Sequence, residues 1–220
     1  LTPPKPTLTG GENAPAIKVG GTLHLGAPVT LIGGGDAPAI MAAGGRVAEY
    51  HLWLGGSRVT SENKDNIPIQ GGKASYDPDT KTLTLNNATI NQTVDNGSYG
   101  TRSAIFCSDY SNADLQKIVL VGSNSVYASN TSYAKYQIIC VVDDLTITGG
   151  GSLTVSAPYS TTYTGNDTRW SEGVYVFGDL IIDHTTVSVS GGNASASNSL
   201  NSAIYFGGST RLILNGTKVT

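Results

Sequence analysis

The chain has 220 residues, and only 13% of them are Asp, Glu, Lys or Arg, against about 25% in a typical globular domain. A net charge of −3 excludes the Lys/Arg-rich surface that nucleic acid needs, and no apolar run of about 18 residues reads as a membrane-spanning helix. Gly, at 28 residues, and many Ser, Thr, Asn and β-branched residues point to an all-β chain that is exported.

The chain opens on Leu1, not on an initiator Met, and reads as a mature or trimmed product. Its Pro-rich start, Leu1-Thr2-Pro3-Pro4-Lys5-Pro6, fits a linker. A pattern then begins that recurs along the whole sequence. A small residue precedes a β-branched residue, any residue, and a small or apolar residue. The copies are Ala16-Ile17-Lys18-Val19, Ala39-Ile40-Met41-Ala42, Ala104-Ile105-Phe106-Cys107, Gln137-Ile138-Ile139-Cys140, Gly173-Val174-Tyr175-Val176 and Ala203-Ile204-Tyr205-Phe206. All except the Ala39 copy are followed by a second alternating strand, as in Leu23–Leu25, Leu145–Ile147, Leu180–Ile182 and Leu212–Leu214. A third comes after a Gly-rich or polar turn, as in Val29–Leu31, Leu153–Val155 and Val187–Val189.

Three strands of period two, repeated in phase, cannot close a sandwich locally. Stacked as coils they bury one apolar column. The fold expected is a right-handed parallel β-helix. A β-sandwich is the alternative, and it leaves the in-phase repeats without an explanation. Spacing varies mainly after the third strand, so long loops leave the solenoid at one corner.

Residues 46–100 break this pattern. Tyr50 to Asn66 and Ala74 to Ile90 are alternating runs, with the turn Asp77-Pro78-Asp79-Thr80 inside the second stretch. They are expected to form an N-terminal capping hairpin segment and a first coil that close one end of the solenoid, since an uncapped end exposes backbone to aggregation. Residues 101–220 supply the remaining coils. Residues 1–45 are expected to stack after residue 220. The third strand of the Leu212 coil stops at Val219-Thr220, and Leu1 would supply its next inward apolar residue. Ile17 would then follow Ile204 by roughly 33 positions, within the spacing of the other copies. The whole is expected to be one structural domain.

The stretches YHLWLGGSRVTSENKDN, SYDPDTKTLTLNNATI and DLTITGGGSLTV resemble a family of exported bacterial surface proteins described as carbohydrate-binding or cell-adhesion proteins. The resemblance covers residues 50–220 well and residues 1–45 as generic coils. It implies a right-handed parallel β-helix, a secreted or cell-surface location, and a partner that is a polysaccharide, a surface glycoconjugate or a host surface protein. It carries over no catalytic motif.

Common phase predicts that Ile105, Cys107, Ile138, Cys140, Val174, Val176, Ile204 and Phe206 point into the column. Cys107 and Cys140 would then stack as neighbours, either as buried thiols or as a disulfide. Phe106, Ile139, Tyr175, Tyr205, Lys18 and Met41 would point outward. Phe106, Tyr175 and Tyr205 on one face, with Tyr133, Tyr163, Trp170 and Arg169 from the corner loops, form the candidate ligand surface. Flat rings beside Asn, Asp and Ser suit sugars. The competing reading is a satellite core beneath folded-over loops.

His24, His51 and His184 have no metal-ligand spacing, and no cofactor is implied. Asp144 and Asp179 hold equivalent places before their second strands. They cap turns, or as the alternative hold calcium. Asp183 and His184 form a polar corner. No nucleophile–base spacing appears. The functions weighed are a non-catalytic binding or adhesion module, a polysaccharide lyase or glycoside hydrolase of β-helix type, and a structural spacer.

Overall fold

The structure is a computed structural model that describes residues 7–12, 16–19, 30–32, 35, 40–42, 47–97, 100–107, 114–133, 135–158, 169–192, 199–208 and 210–220. It divides into two compact units, Leu1–Ala48 and Glu49–Thr220. In the first, β1 (Thr7–Thr9) pairs in parallel with β3 (Thr30–Ile32), and β2 (Ile17–Val19) pairs in parallel with β4 (Ile40–Ala42). Strands from successive repeats therefore stack on one another, with Ile17 beside Ile40 and Lys18 beside Met41. Strand β1 was not legible as a copy of the repeat. The second strand expected at Leu23–Leu25 lies outside the described residues.

The second unit begins with antiparallel structure. Strands β5 (Glu49–Leu54) and β6 (Ser57–Thr60) form a hairpin around Gly55-Gly56. Both glycines have positive φ, 56° and 86°, the backbone that a tight two-residue turn demands. Strands β7 (Gly71–Asp77) and β8 (Thr82–Ile90) pair antiparallel across the predicted Asp77–Thr80 turn. Asp77 holds that turn by accepting from the Thr80 hydroxyl and the Asp79 N–H, which keeps its carboxyl below the usual range. A short antiparallel pair, β9 (Val94–Asp95) and β10 (Arg102–Ser103), follows.

Three-strand coils come next, in chain order. They are β11 (Ile105–Cys107), β12 (Lys117–Val121) and β13 (Ser123–Tyr127); then β14 (Lys135–Val141), β15 (Leu145–Thr148) and β16 (Ser152–Ser156). After these come β17 (Arg169–Val176), β18 (Leu180–Asp183) and β19 (Thr186–Ser190), then β20 (Ser199–Phe206), β21 (Leu212–Asn215) and β22 (Lys218–Val219). Each strand pairs in parallel with its counterpart one coil away. No helix occurs among the described residues. This is a β-solenoid of the parallel β-helix kind, with the expected capping segment at one end. Strand β8 seeds two columns at once. Its first half pairs with β12 and its last residues pair with β13.

The bend between those two columns has a local cause. Asn87, Gly122, Gly149, His184 and Gly216, at the corresponding corner of successive coils, all have positive φ. Gly and Asn tolerate that conformation better than other residues. His184 adopts it at φ 48°. The core is the column that alternation predicted: Leu83, Ile118, Ile147 and Ile182 lie one above another and are fully buried. Asn124 sits in the third-strand column opposite Leu153. Its oxygen accepts from the Ala88 N–H at 2.8 Å, and its amide donates to Val121, Gly122 and Ser152 carbonyls. A buried amide so fully bonded carries little desolvation penalty.

One copy of the repeat departs from the expected register. Ile105 pairs with Ile139 and not with Ile138, and Cys107 pairs with Val141. Ile139, expected to face outward, lies in the inward column with Val174 and Ile204. Cys140 falls in the outward column with Phe106 and Tyr175. The two cysteines are therefore not equivalent, and both are buried thiols outside any disulfide. The physical reason is that residues 138–142 are apolar at every position and all buried. Alternation has nothing to act on there, so a one-residue slip is invisible in the sequence.

Candidate functional site

The first strands carry an aromatic column on their outer side. Its members are Trp53, Phe106, Cys140, Tyr175 and Tyr205, in that order, as successive register partners. Adjacent strands lie about 4.8 Å apart, so rings on neighbouring coils stack face to face. Tyr175 and Tyr205 do so, with centroids 5.7 Å apart and planes 12° apart. Trp53 and Phe106 are tilted at 5.4 Å. At the capped end Arg58 closes the column with its guanidinium 5.0 Å from the Trp53 ring. Bonds to the Tyr50 carbonyl and the Glu49 carboxylate hold it there.

This arrangement refines the expected surface. Phe106 is only 7% exposed and belongs to a covered layer, whereas Tyr205 is 40% exposed. Because the rings stack like coins, Tyr175 offers an edge, and Tyr205 offers its edge and one face that stacks on no other ring among the described residues of this unit. Phe177, which the repeat pattern did not single out, is also exposed, at 42%. Gly207 lies between them. A Cβ there would come within 2.4 Å of the Tyr175 hydroxyl and 2.5 Å of the Phe177 ring, so only glycine leaves room for both.

The remaining predicted aromatics form a separate cluster at the start of the first strands. Tyr133 packs edge-on against the buried Tyr136, and Arg102 stacks on Tyr133 at 4.0 Å. The Lys135 ammonium lies 4.4 Å from the centre of the Trp170 ring. Arg102 Nε and Trp170 Nε1 are buried without a hydrogen-bond partner among the described residues. Here the satellite-core reading holds for Tyr136 and partly for Tyr133. Tyr163 lies outside the described residues. Arg169 opens β17, opposite Ser199, and its side chain is not described.

A polar file that the motif search missed crosses the coils next to this cluster. Gln137, Glu172 and Ser202 are register partners. The Gln137 amide donates to Glu172 Oε2 at 3.0 Å, and the Asn96 amide donates to Gln137 Oε1 at 3.3 Å. Glu172 is 3% exposed, and burial pushes its carboxyl up to about 7, against a smaller opposing effect of the Gln137 bond. Burial likewise pushes the Cys140 thiol up to about 12, which makes it a poor nucleophile. The repeat pattern hid this file, because it aligns Gln137 with Gly173, and only the one-residue slip of this copy brings Gln137 beside Glu172.

Asp144 and Asp179 form the turn-capping ladder expected of them. Asp144 accepts from the Asp179 N–H at 2.7 Å, and Asp179 accepts from the Arg211 N–H at 2.9 Å. The Arg211 guanidinium also grips Asp179 and lowers its pKa. Among the described residues no group of three or more His, Cys, Asp and Glu gathers as metal ligands. His184 Nδ1 lies 2.9 Å from Asp183 at the expected polar corner. That corner borders an open cleft of about 410 Å³ lined by Gly150, Gly151, Thr185, Thr186, Gly216 and Thr217. The hydroxyls of Thr185 and Thr217 are committed to carbonyls of adjacent coils. Among the described residues no helix is long and apolar enough to cross a membrane.

No protein-family model, curated protein or solved structure matches the chain.

Proposed function

We propose that the chain is a non-catalytic binding module, displayed at a cell surface or secreted, that takes a glycan at the exposed end of its aromatic column. The observation that carries this reading is the exposure of two aromatic rings on stacked coils of the solenoid, Tyr205 at 40% and Phe177 at 42%. A pyranose can lay its C–H face on the free face of Tyr205, and the tyrosine hydroxyls can bond its ring hydroxyls. Rings held on stacked strands need no ordering on binding, which lowers the entropic cost. One free ring face gives weak affinity per site, so useful adhesion requires multivalent display. The carboxylates also support a binding role over hydrolysis. Asp144 and Asp179 are structural caps, and Glu172 is buried against an amide. A hydrolase needs two carboxyl groups facing each other across a cleft.

The test is a glycan array followed by titration of any hit, with a reducing-sugar assay in parallel. Tyr205→Ala and Phe177→Ala are each expected to weaken binding by about 5–10-fold without changing the melting temperature by more than a few degrees. Unchanged binding in both variants refutes the site. Release of reducing ends by the wild type refutes the non-catalytic reading.

A further inference from the structure

The capping hairpin carries a small polar groove on its outer face. Strands β7 and β8 bury Ala74, Tyr76, Leu83 and Leu85 on one side. Alternation puts Lys73, Ser75, Thr84 and Asn86 on the other, with Lys73 opposite Asn86 and Ser75 opposite Thr84. The chain that precedes β7 builds the facing wall. Residues 64–67 run along the second edge of β7, where the Ile67 N–H donates to the Ala74 carbonyl at 2.9 Å and the Tyr76 N–H donates to the Lys64 carbonyl at 2.6 Å. These bonds hold Asp65 and Asn66 beside the hairpin, and the recess so formed has a volume of about 160 Å³. That is well below the roughly 300–1,000 Å³ of a drug-sized pocket, so it suits one sugar ring and not a chain.

The polar groups of the groove are uncommitted. The Lys73 ammonium and the Ser75 and Thr84 hydroxyls make no hydrogen bond or ion pair among the described residues. Asn86 uses only its oxygen, which accepts from the Asn87 amide at 2.9 Å. The carboxylate on the wall, Asp65, is held by the Lys64 ammonium at 2.8 Å. Other cations of this unit have partners. Arg58, Lys64 and Arg211 each meet a carboxylate, and Arg102 and Lys135 lie on aromatic rings. Lys73 is thus a cation that faces a groove without a counter-ion, on a chain whose net charge is −3.

We propose that this groove binds a carboxylate-bearing sugar residue of the uronic acid type. The Lys73 ammonium takes the carboxylate, and the Ser75 and Thr84 hydroxyls with the Asn86 amide bond the ring hydroxyls. Val121 is the register partner of Asn86 on β12 and is 45% exposed, so its methyls are offered to a C–H face of the ring. A neutral sugar leaves Lys73 without its partner, and a bare carboxylate leaves the hydroxyls unused. The charge-assisted bond is the stronger of the two contributions, so it sets the selectivity. The groove belongs to the capping hairpin, whereas Tyr205 and Phe177 belong to later coils. It rests on the glycan reading for the class of its ligand alone.

The experiment is an amide-resolved NMR titration of the full chain with D-galacturonate and D-glucuronate, against D-galactose, D-glucose, acetate and a short poly-glutamate peptide. At least one of the two acids is expected to shift the amides of Lys73, Ser75, Thr84 and Asn86 with millimolar affinity. It should bind at least about 10-fold more tightly than its neutral parent, as loss of a charge-assisted bond implies. Added salt should weaken the acid and leave the neutral parent unchanged. Lys73→Gln is expected to remove the preference for the acid and Lys73→Arg to retain it. Lys73 is exposed, so both variants should melt as the wild type does. No shift in the groove with either acid up to about 50 mM, far into the millimolar range, overturns the proposal. So does a neutral parent that binds as well as its acid, or a Lys73→Gln variant that keeps the preference. Acetate or the peptide binding as tightly as the acids also overturns it, because the sugar ring then contributes nothing. Tyr205→Ala is expected to leave these shifts as they are, so failure of the aromatic surface and failure of the groove are read separately.

Discussion

Glu172 makes the stability of this protein depend on pH in a direction opposite to that of most carboxylates. Its carboxyl moves from 4.5 to about 7 because burial opposes its ionised form. The folded chain therefore holds a proton that the unfolded chain releases between those two values. The contribution of Glu172 to stability is fully present below pH 4.5 and is lost as pH rises through about 7. A shift of this size corresponds to a ceiling of ~3 kcal/mol, and residual solvent screening brings the working expectation to ~1–2 kcal/mol. Glu172→Gln removes the titration and keeps an amide that can pair with Gln137. Urea unfolding of both proteins at intervals from pH 4.5 to 8.5 isolates the effect, since every other titrating group cancels in the difference. The variant is expected to match the wild type at pH 4.5–5 and to exceed it by ~1–2 kcal/mol above pH 8. Two stability curves that run parallel across this range would show that Glu172 is ionised throughout and that the buried file is wrongly assigned.

Other outcomes follow from the same geometry. Ile182→Ala should cost ~2–5 kcal/mol in denaturant unfolding, whereas Leu214→Ala at its half-exposed partner should cost less than ~1 kcal/mol. Equal losses would mean that the last coil is as buried as the one before it. Cys107 and Cys140 should resist a thiol reagent in the native protein and both react after denaturation without reductant. Reaction of neither thiol in denaturant would reveal a disulfide.

Much of the fold was legible in the sequence because its determinants are local. Period-two alternation sets which face of each strand is buried, and in-phase recurrence requires that equivalent strands stack, so Leu180–Ile182 and Val187–Val189 pointed to a coil. The Asp77–Thr80 turn was readable because Asp and Pro act on their own backbone. The capping role of Asp144 and Asp179 was readable for the same reason. The register of Ile138–Val142 was not, because a run apolar at every position has two equally good phases and only packing against Ile105 and Val174 selects one.

Tertiary structure alone decided the state of the aromatic site. Sequence phase placed Phe106, Tyr175 and Tyr205 on one face, but exposure depends on what lies over each ring. The strand spacing turns the rings into a stack, Trp53 from the cap covers one end, and among the described stacked rings Tyr205 stands at the other end, 40% exposed. Phe177 gains its place beside Gly207 through a contact between neighbouring coils. The difference in exposure between Leu212 and Leu214 and their partners Leu180 and Ile182 was likewise invisible in the sequence, since all four carry the same inward phase. Pattern records which side chains are built to be covered. Whether another coil covers them is a property of the assembled column, because burial is set by neighbours distant along the chain.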